Sequence, residues 1–175
     1  LKACLEEGLR LKINVHDVRD IISPGVKVYN ITHGGCPDGQ CSAFLLRCAA
    51  EKIAAELGFM LDFAVIQACQ GKSMIPKDID EGSVVIFTDC CAEVAGTEVV
   101  IEKEVRALVV IDHHKSSEAL LAKVKQTLSE QDFDSLFAFN VFDHDACGAS
   151  LTLDFCSPPS LCDFWSGEKL KVIEY

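Results

Sequence analysis

The residues best suited to chemistry are an aspartate and two adjacent histidines that follow an apolar run. The stretch from Ala107 to Ile111 is apolar throughout, and Asp112, His113 and His114 come directly after it. A neutral imidazole offers one acceptor nitrogen to a metal or a phosphate, and a nearby carboxylate can fix which nitrogen carries the proton. A turn with two solvated histidines would also explain the stretch by itself. The rest of the chain has to decide between these two interpretations.

Two further strand-like runs end in residues that could bind a cation. The first leads into a glycine-rich loop that carries His33, Cys36 and Asp38, and the second, at 83–88, is followed by Asp89. The loop lacks the GKS or GKT ending of a Walker phosphate loop and the GxGxxG pattern of a dinucleotide site. An aspartate after a strand is often only a helix cap. Three polar strand ends in one chain nevertheless favour a shared site.

The elements around these residues predict how they are positioned. Apolar periodicity and turn residues predict the order β-α-β-β-α-β-α-β-α. This order is typical of an α/β fold with a doubly wound, mainly parallel sheet flanked by helices, whose strands end at one common edge. The predicted strands are 26–31, 61–66, 83–88, 107–111 and 136–142, and the predicted helices are 40–57, 94–105, 117–130 and 146–156.

The three polar strand ends would together form a cation site. Carboxylate oxygens and imidazole nitrogens are ligands that suit Mn²⁺ or a similar divalent ion. Two such ions can share a carboxylate, bind a phosphoryl oxygen and generate hydroxide at neutral pH. The sequence therefore predicts a metal–phosphate site at the edge of the sheet.

Length and charge limit the classes of function. The 175 residues predict a domain over residues 26–175, preceded by a helical extension over residues 1–25. No apolar run approaches the roughly 18 to 20 residues of a membrane span, so no membrane partner is expected. The formal net charge of −11 disfavours an extended track for DNA or RNA. A short phosphorylated ligand held by a metal is compatible with this charge, because the cation supplies local positive charge. The sequence does not indicate an oligomeric state.

The cysteine content indicates the compartment. The ten cysteines form no repeated CxxC pair, and several fall at apolar positions. Mostly buried thiols in a reducing cytoplasm are therefore expected, rather than a structural zinc site. Cys36 in the first motif and the adjacent pair Cys90 and Cys91 are the cysteines that could matter to chemistry.

These motifs, in this order, resemble those of the DHH phosphoesterase superfamily. That superfamily includes family II inorganic pyrophosphatases, exopolyphosphatases, single-strand exonucleases and oligonucleotide or dinucleotide phosphodiesterases. The resemblance covers about residues 26–165, and the first loop is similar to the subgroup that reads H-x-x-C-x-D-G. The matching stretches are Thr32 to Gly39, Asp89, Ile111 to His114, Asp143 with Cys147 to Ser150, and Cys162-Asp163-Phe164-Trp165.

The resemblance implies a site with two Mn²⁺ ions, with Mg²⁺ or Co²⁺ as alternatives. It implies that Asp89 bridges the ions, that Asp112 supports the site and that His114 faces the phosphate, the last two as catalytic residues. The implied reaction is attack of a metal-activated water on phosphorus, which releases a phosphate monoester or orthophosphate. The implied metal ligands are His33, Asp38, Asp89, His113 and Asp163.

The chain departs from the superfamily pattern in two ways. Cys36-Pro37-Asp38 stands where many members have Asp-x-Asp. A thiolate is a softer ligand than a carboxylate and could shift the metal preference or weaken one of the two sites. The substrate-holding C-terminal domain of the superfamily does not fit after Trp165. Either it has been truncated, or the substrate is held by this domain alone or by a partner.

The leading hypothesis is a metal-dependent hydrolase of a small phosphodiester or phosphoanhydride, with a short oligonucleotide as the preferred substrate. Within enzymes, the alternative is an inorganic pyrophosphatase or an exopolyphosphatase. A non-catalytic DHH-like domain that binds a nucleotide or a protein partner is an alternative from a different class. A thiol-redox or zinc-structural protein is a third, and metal content and thiol titration would distinguish it.

Overall fold

The computed structural model describes residues 15–68, 75–91 and 93–156 of the chain. Of the predicted helical extension, residues 1–14 lie outside the described residues. Its remainder contains a single turn of 3-10 helix, Val18–Asp20, where the sequence predicted a helical extension. The side chains of Asp17 and Asp20 form a capping box at the start of this turn.

A five-stranded sheet with all neighbouring strands parallel forms the centre of the fold. Its strand order is β2-β1-β3-β4-β5, with helices between β1 and β2, between β3 and β4 and between β4 and β5, which confirms the predicted α/β doubly wound class. The elements are β1 (Lys27–His33), α1 (Pro37–Glu56), β2 (Asp62–Ala68), β3 (Val84–Thr88), α2 (Val94–Glu102), β4 (Ala107–Asp112), α3 (Lys115–Thr127), α4 (Glu130–Leu136), β5 (Phe137–Phe142) and α5 (Gly148–Cys156).

The predicted helix over 117–130 is divided in the structure. Helix α3 ends because Leu128 takes an extended conformation, with ψ of 156°. The following helix α4 is held in place by the buried side chains of Phe133 and Leu136. Because α4 runs to Leu136, β5 begins at Phe137, one residue later than predicted. Helix α1 starts earlier than predicted, at Pro37, since proline favours the first position of a helix.

The central strands divide the core into two layers. Val84 and Ile86 of β3 point into the layer that contains α1 and α5, whereas Val85 and Phe87 point into the opposite layer. Every residue of β3 and β4 is buried, as expected for parallel strands that are covered on both faces. Strands β3 and β4 are therefore covered on both faces.

The strand order creates a crevice at one place along the edge. From β1 the chain first proceeds to β2 on one side and then crosses to β3 on the other. In open α/β sheets, ligands bind where the strand order reverses, outside the carboxyl ends of the strands. The ends of β1 and β3 are therefore the expected position of a site.

Seven cysteines lie in the described part of the chain, and all of them are free thiols. Three are buried, three are half-buried and Cys147 is exposed, so burial is less general than the sequence suggested. In the same part of the chain, no helix combines the length and the apolar character needed to cross a membrane.

Candidate metal centre

Three strand ends bring the predicted residues together. His33 is the last residue of β1, Asp89 follows β3, and Asp112 ends β4. His113 and His114 connect β4 to α3. The ring centroids of His113 and His114 are 4.2 Å apart, and those of His33 and His114 are 6.0 Å apart. The convergence expected from parallel strands is therefore present.

Asp89 lies at the centre of this group and has an unusual backbone conformation. Its φ is +59°, in the left-handed region that aspartate tolerates better than most residues. Its N–H donates to the carbonyl oxygen of Ile111 at 2.9 Å, which ties the end of β3 to β4. A Cβ added to Gly148 would lie 2.9 Å from the Cβ of Asp89, so only glycine permits helix α5 to approach this closely.

The Asp89 carboxylate is surrounded by imidazoles although it is only 1% exposed. Its Oδ1 lies 3.1 Å from Nε2 of His113 and 3.8 Å from Nδ1 of His114. Its Oδ2 lies 3.6 Å from Nδ1 of His33, beyond the range of a normal N–H···O hydrogen bond. One carboxylate thus faces three histidines.

Burial is the main cause of a raised pKa at Asp89, and the negative charge of Asp38 adds to it. The hydrogen bond with the Cys36 thiol and the electrostatic influence of His114 act in the opposite direction and lower the pKa. An ionised Asp89 is thus costly in the metal-free protein. A cation beside it would remove that cost.

Asp112 orients the two histidines that follow it. Its Oδ1 accepts hydrogen bonds from the backbone N–H of His113 at 2.7 Å and of His114 at 3.3 Å. The same oxygen lies 2.7 Å from Nδ1 of His114. An ionised carboxylate only accepts, so Nδ1 of His114 carries the proton and Nε2 is the nitrogen that can act on a ligand.

Asp38 is held at the centre by helix α5. Its Oδ2 accepts from the N–H of Gly148 at 2.8 Å and its Oδ1 accepts from the N–H of Ala149 at 2.7 Å. The same Oδ2 lies 3.5 Å from Nε2 of His113. The first turn of α5 therefore stabilises the Asp38 charge and fixes its distance from the histidines.

His144 belongs to the surroundings of the centre, and the sequence did not single it out. Its Nδ1 lies 2.7 Å from the carbonyl oxygen of His113, and its Nε2 lies 3.1 Å from Oε2 of Glu118 on α3. These two contacts raise the pKa of His144, with the hydrogen bond to His113 as the larger cause. The sequence signal that could have identified His144 is its position just after β5, the strand next to β4.

Three buried atoms at the centre have no hydrogen-bond partner among the described residues: Nδ1 of His33, Oδ2 of Asp89 and Oδ2 of Asp112. Unpaired buried polar atoms are rare, because each one costs free energy. Two groups of side chains bring their ligand atoms within 4.8 Å of one another. They are Asp89 with Asp112, His113 and His114, and Asp89 with His33 and Cys36. The residues present are therefore close enough together to hold a metal ion.

A cavity of about 320 Å³ opens beside the centre. His33, Asp89 and His114 form one part of its wall. Cys90, Cys91 and Glu93 after β3, and Ser116, Ser117 and Leu120 of α3, form much of the rest. A ligand in this cavity would contact the imidazole of His114 directly.

The structure thus brings together His33, Asp38, Asp89 and His113, four of the five predicted metal ligands, with Cys36, Asp112 and His114 beside them. Asp163, the fifth predicted ligand, lies outside the described residues. Comparison with protein-family models, with curated proteins and with solved structures gave no significant match. Membership of the DHH superfamily stays a prediction from the motifs.

Proposed function

We propose that the chain is a divalent-metal-dependent phosphoesterase that hydrolyses a small phosphodiester or phosphoanhydride, with a short oligonucleotide as the preferred substrate. The observation that carries this proposal is the buried Asp89 carboxylate facing three imidazoles at the edge of a cavity. The partner is a small phosphorylated molecule, because neither the acidic charge nor the size of the cavity suits a long nucleic acid.

A divalent cation fits the donor set. The carboxylates and imidazoles suit Mn²⁺, and the unpaired atoms of His33 and Asp89 are only 3.6 Å apart, so both could bind one ion. The candidate ligands for one or two cations are His33, Asp38, Asp89 and His113. When bound, such a cation supplies Lewis acidity toward a phosphoryl oxygen and lowers the pKa of water.

The chain itself orients the substrate, and His114 is the residue that can transfer a proton. Asp112 holds Nδ1–H of His114, so the ring can present Nε2 to a phosphoryl oxygen in the cavity. Gly148 and Ala149 hold Asp38, which keeps a second negative charge beside His113. In the hydrolysis, water adds to phosphorus, the bridging P–O bond breaks, and the leaving oxygen takes up a proton.

The cavity supports a small substrate. Its volume is near the lower end of the roughly 300–1,000 Å³ typical of small-molecule sites. The described residues in its wall include Glu93 and no lysine or arginine. Affinity for a phosphate would therefore depend on the bound cation and on the first turn of α3, where Ser116 and Ser117 lie.

The test is phosphate and nucleotide release from a panel with and without Mn²⁺. The panel contains a dinucleotide, pyrophosphate, a short polyphosphate and a generic phosphodiester. Manganese-dependent release from the dinucleotide is the expected result. Turnover of pyrophosphate or polyphosphate alone would instead assign the chain to the pyrophosphatase or exopolyphosphatase alternative.

The His114→Ala variant sharpens the assay. We expect it to bind Mn²⁺ as tightly as the wild type and to lose turnover, since Nδ1 of His114 is committed to Asp112 and Nε2 is assigned to the substrate. Loss of metal in this variant would reassign His114 as a ligand. If the wild type binds metal and turns over no panel member, the hydrolase proposal fails and the non-catalytic binding alternative is favoured.

A further inference from the structure

The two groups of candidate ligand atoms differ in chemistry and share one residue. Both include Asp89, which has two carboxylate oxygens. The first group adds only carboxylate oxygens and imidazole nitrogens, with His113 as the candidate ligand and Asp112 and His114 beside it. The second adds the imidazole of His33 and the sulfur of Cys36. The two sides of Asp89 therefore offer different donor sets.

The Cys36 sulfur does not cap the helix that follows it. Cys36 is the residue just before the first turn of α1, where a side chain would normally cap the helix. Its side chain makes no capping hydrogen bond. Pro37 takes the first helical position and has no N–H to be capped. The sulfur therefore plays no part in capping helix α1.

Independent support comes from atoms on the same side of Asp89. Its side chain is 0% exposed, and Oδ2 is buried without a hydrogen-bond partner. Nδ1 of His33, 3.6 Å away, is likewise buried and unpaired. The sulfur of Cys36 lies within 4.8 Å of the candidate ligand atoms of both residues. Two unpaired polar atoms and a half-buried thiol thus face one small volume.

We infer that the centre contains two unlike cation sites joined by Asp89, and that the one formed by His33, Cys36 and Asp89 selects a thiophilic divalent ion. Zn²⁺, Fe²⁺ and Co²⁺ belong to this class, whereas Mg²⁺ does not. On binding, the S–H bond breaks, a sulfur–metal bond forms and one proton passes to solvent, without any oxidation. The inference deepens the proposed function by specifying the metal, and it rests on that function only for the position of the site.

Cobalt substitution tests the inference without measuring turnover. A thiolate bound to Co²⁺ gives a ligand-to-metal charge-transfer band in the near ultraviolet, whereas oxygen and nitrogen ligands do not. The 175-residue chain is titrated with Co²⁺, and bound cobalt is counted after removal of excess metal. We expect the wild type to develop this band as cobalt binds.

The variants assign the band to one sulfur. Cys36→Ser should lose the band. Its affinity for Zn²⁺ should fall by at least roughly 10–100-fold, because that loss is typical when only a hydrogen-bond partner of a metal ligand is removed. Cys147→Ser is the matched control, because Cys147 is an exposed thiol just before α5, and this variant should keep the band. Cys36→Asp should bind Mn²⁺ more tightly than the wild type while lacking the band, which also provides a second variant if Cys36→Ser folds poorly.

Three results would overturn the inference: a wild type that binds cobalt without the band, a Cys36→Ser variant that keeps it, or a Cys147→Ser variant that loses it. Any of these would leave Cys36 as a residue of loop packing. They would not affect the proposed hydrolase, which needs a cation but not a thiolate. Conversely, a wild type with the band and no turnover on the substrate panel would count against the hydrolase alone.

Discussion

The two ends of the sheet carry two clusters of charged residues. They differ in whether their polar atoms have hydrogen-bond and ion-pair partners. At the amino ends of the strands, the Asp80 carboxylate accepts a hydrogen bond from the Tyr29 hydroxyl at 2.6 Å and pairs with Nζ of Lys27 at 3.0 Å. These two partners lower the pKa of Asp80, the Tyr29 hydroxyl being the larger cause. At the carboxyl ends, burial raises the pKa of Asp89.

The contrast supports the cation site proposed for the cluster at the carboxyl ends. None of the buried unpaired atoms found in the described residues belongs to the amino-end cluster, whereas three lie at the carboxyl edge. A structural cluster is complete in the folded protein. A site that binds a cation is incomplete without it, because its ligands repel one another and keep unpaired lone pairs.

The largest expected effect is that of Asp89→Asn. The amide keeps the shape of the side chain but removes the charge shared by both groups of ligands. We expect Mn²⁺-dependent turnover to be abolished. Metal affinity should fall by more than roughly 10–100-fold, which is the loss seen when a residue that hydrogen-bonds a metal ligand is removed. Bound metal is measured by equilibrium dialysis and folding by circular dichroism. A folded, active variant would contradict the role of Asp89.

Metal binding should stabilise the carboxyl edge and, with it, the whole domain. At a free Mn²⁺ concentration 100 times the Kd, the native state gains about 2.7 kcal/mol. For a domain of this size such a gain raises Tm by several degrees, at roughly 2–4 °C per kcal/mol. Thermal unfolding with and without Mn²⁺ measures the shift, which should be absent in Asp89→Asn. An equal shift in both proteins would indicate binding elsewhere.

An intermediate effect is expected from His144, which links the His113 carbonyl to Glu118. His144→Ala removes this link and loosens the loop that carries the histidines. Mn²⁺ affinity should therefore fall by about tenfold, the smallest loss typical when a residue that positions a metal ligand is removed. His144→Asn keeps a donor near the Nδ1 position and should restore most of the affinity. His16→Ala, at an exposed histidine, is the control. No difference between the two His144 variants would rule out positioning through this hydrogen bond.

The smallest effects concern the stability of the metal-free protein, and they should have opposite signs at the two ends. Asp80→Asn should lower Tm slightly at neutral pH, since Asp80 is exposed at the surface and its partners favour the charged form. Asp89→Asn should raise Tm at the same pH, because it removes a charge that burial disfavours. Thermal unfolding in the presence of a chelator measures both. Shifts of the same sign would remove the distinction between the two clusters.

The pH dependence follows from the directions of the two pKa shifts. Asp80 has a lowered pKa in the folded state, so its contribution is present above the unfolded pKa and is lost as pH falls through the folded pKa. Asp89 has a raised pKa in the folded state. Between its unfolded and folded pKa the native state binds more protons, and stability decreases as pH rises through that window. Unfolding curves of each variant and the wild type over acid pH test both signs.

Much of the centre could be predicted because its residues lie next to local signals. His33, Asp89 and Asp112 each follow or end an apolar run, and such runs identify buried strands. Parallel strands then require their carboxyl ends to lie along one edge, so the meeting of these residues follows from the fold class. The division of α3 from α4 was missed because the apolar spacing continues across Leu128.

Sequence alone therefore determined the α/β class, the edge of the sheet where chemistry could occur and most of the residue types gathered there. Only the tertiary structure decided how these residues are paired. Asp38 meets the N–H of Gly148, 110 positions away in the chain, and His144 meets the carbonyl of His113 across 31 positions. Which polar atoms remain unpaired depends on differences of a few tenths of an ångström between distant segments. Such distances are set by packing between the layers, and no local pattern in the sequence encodes them.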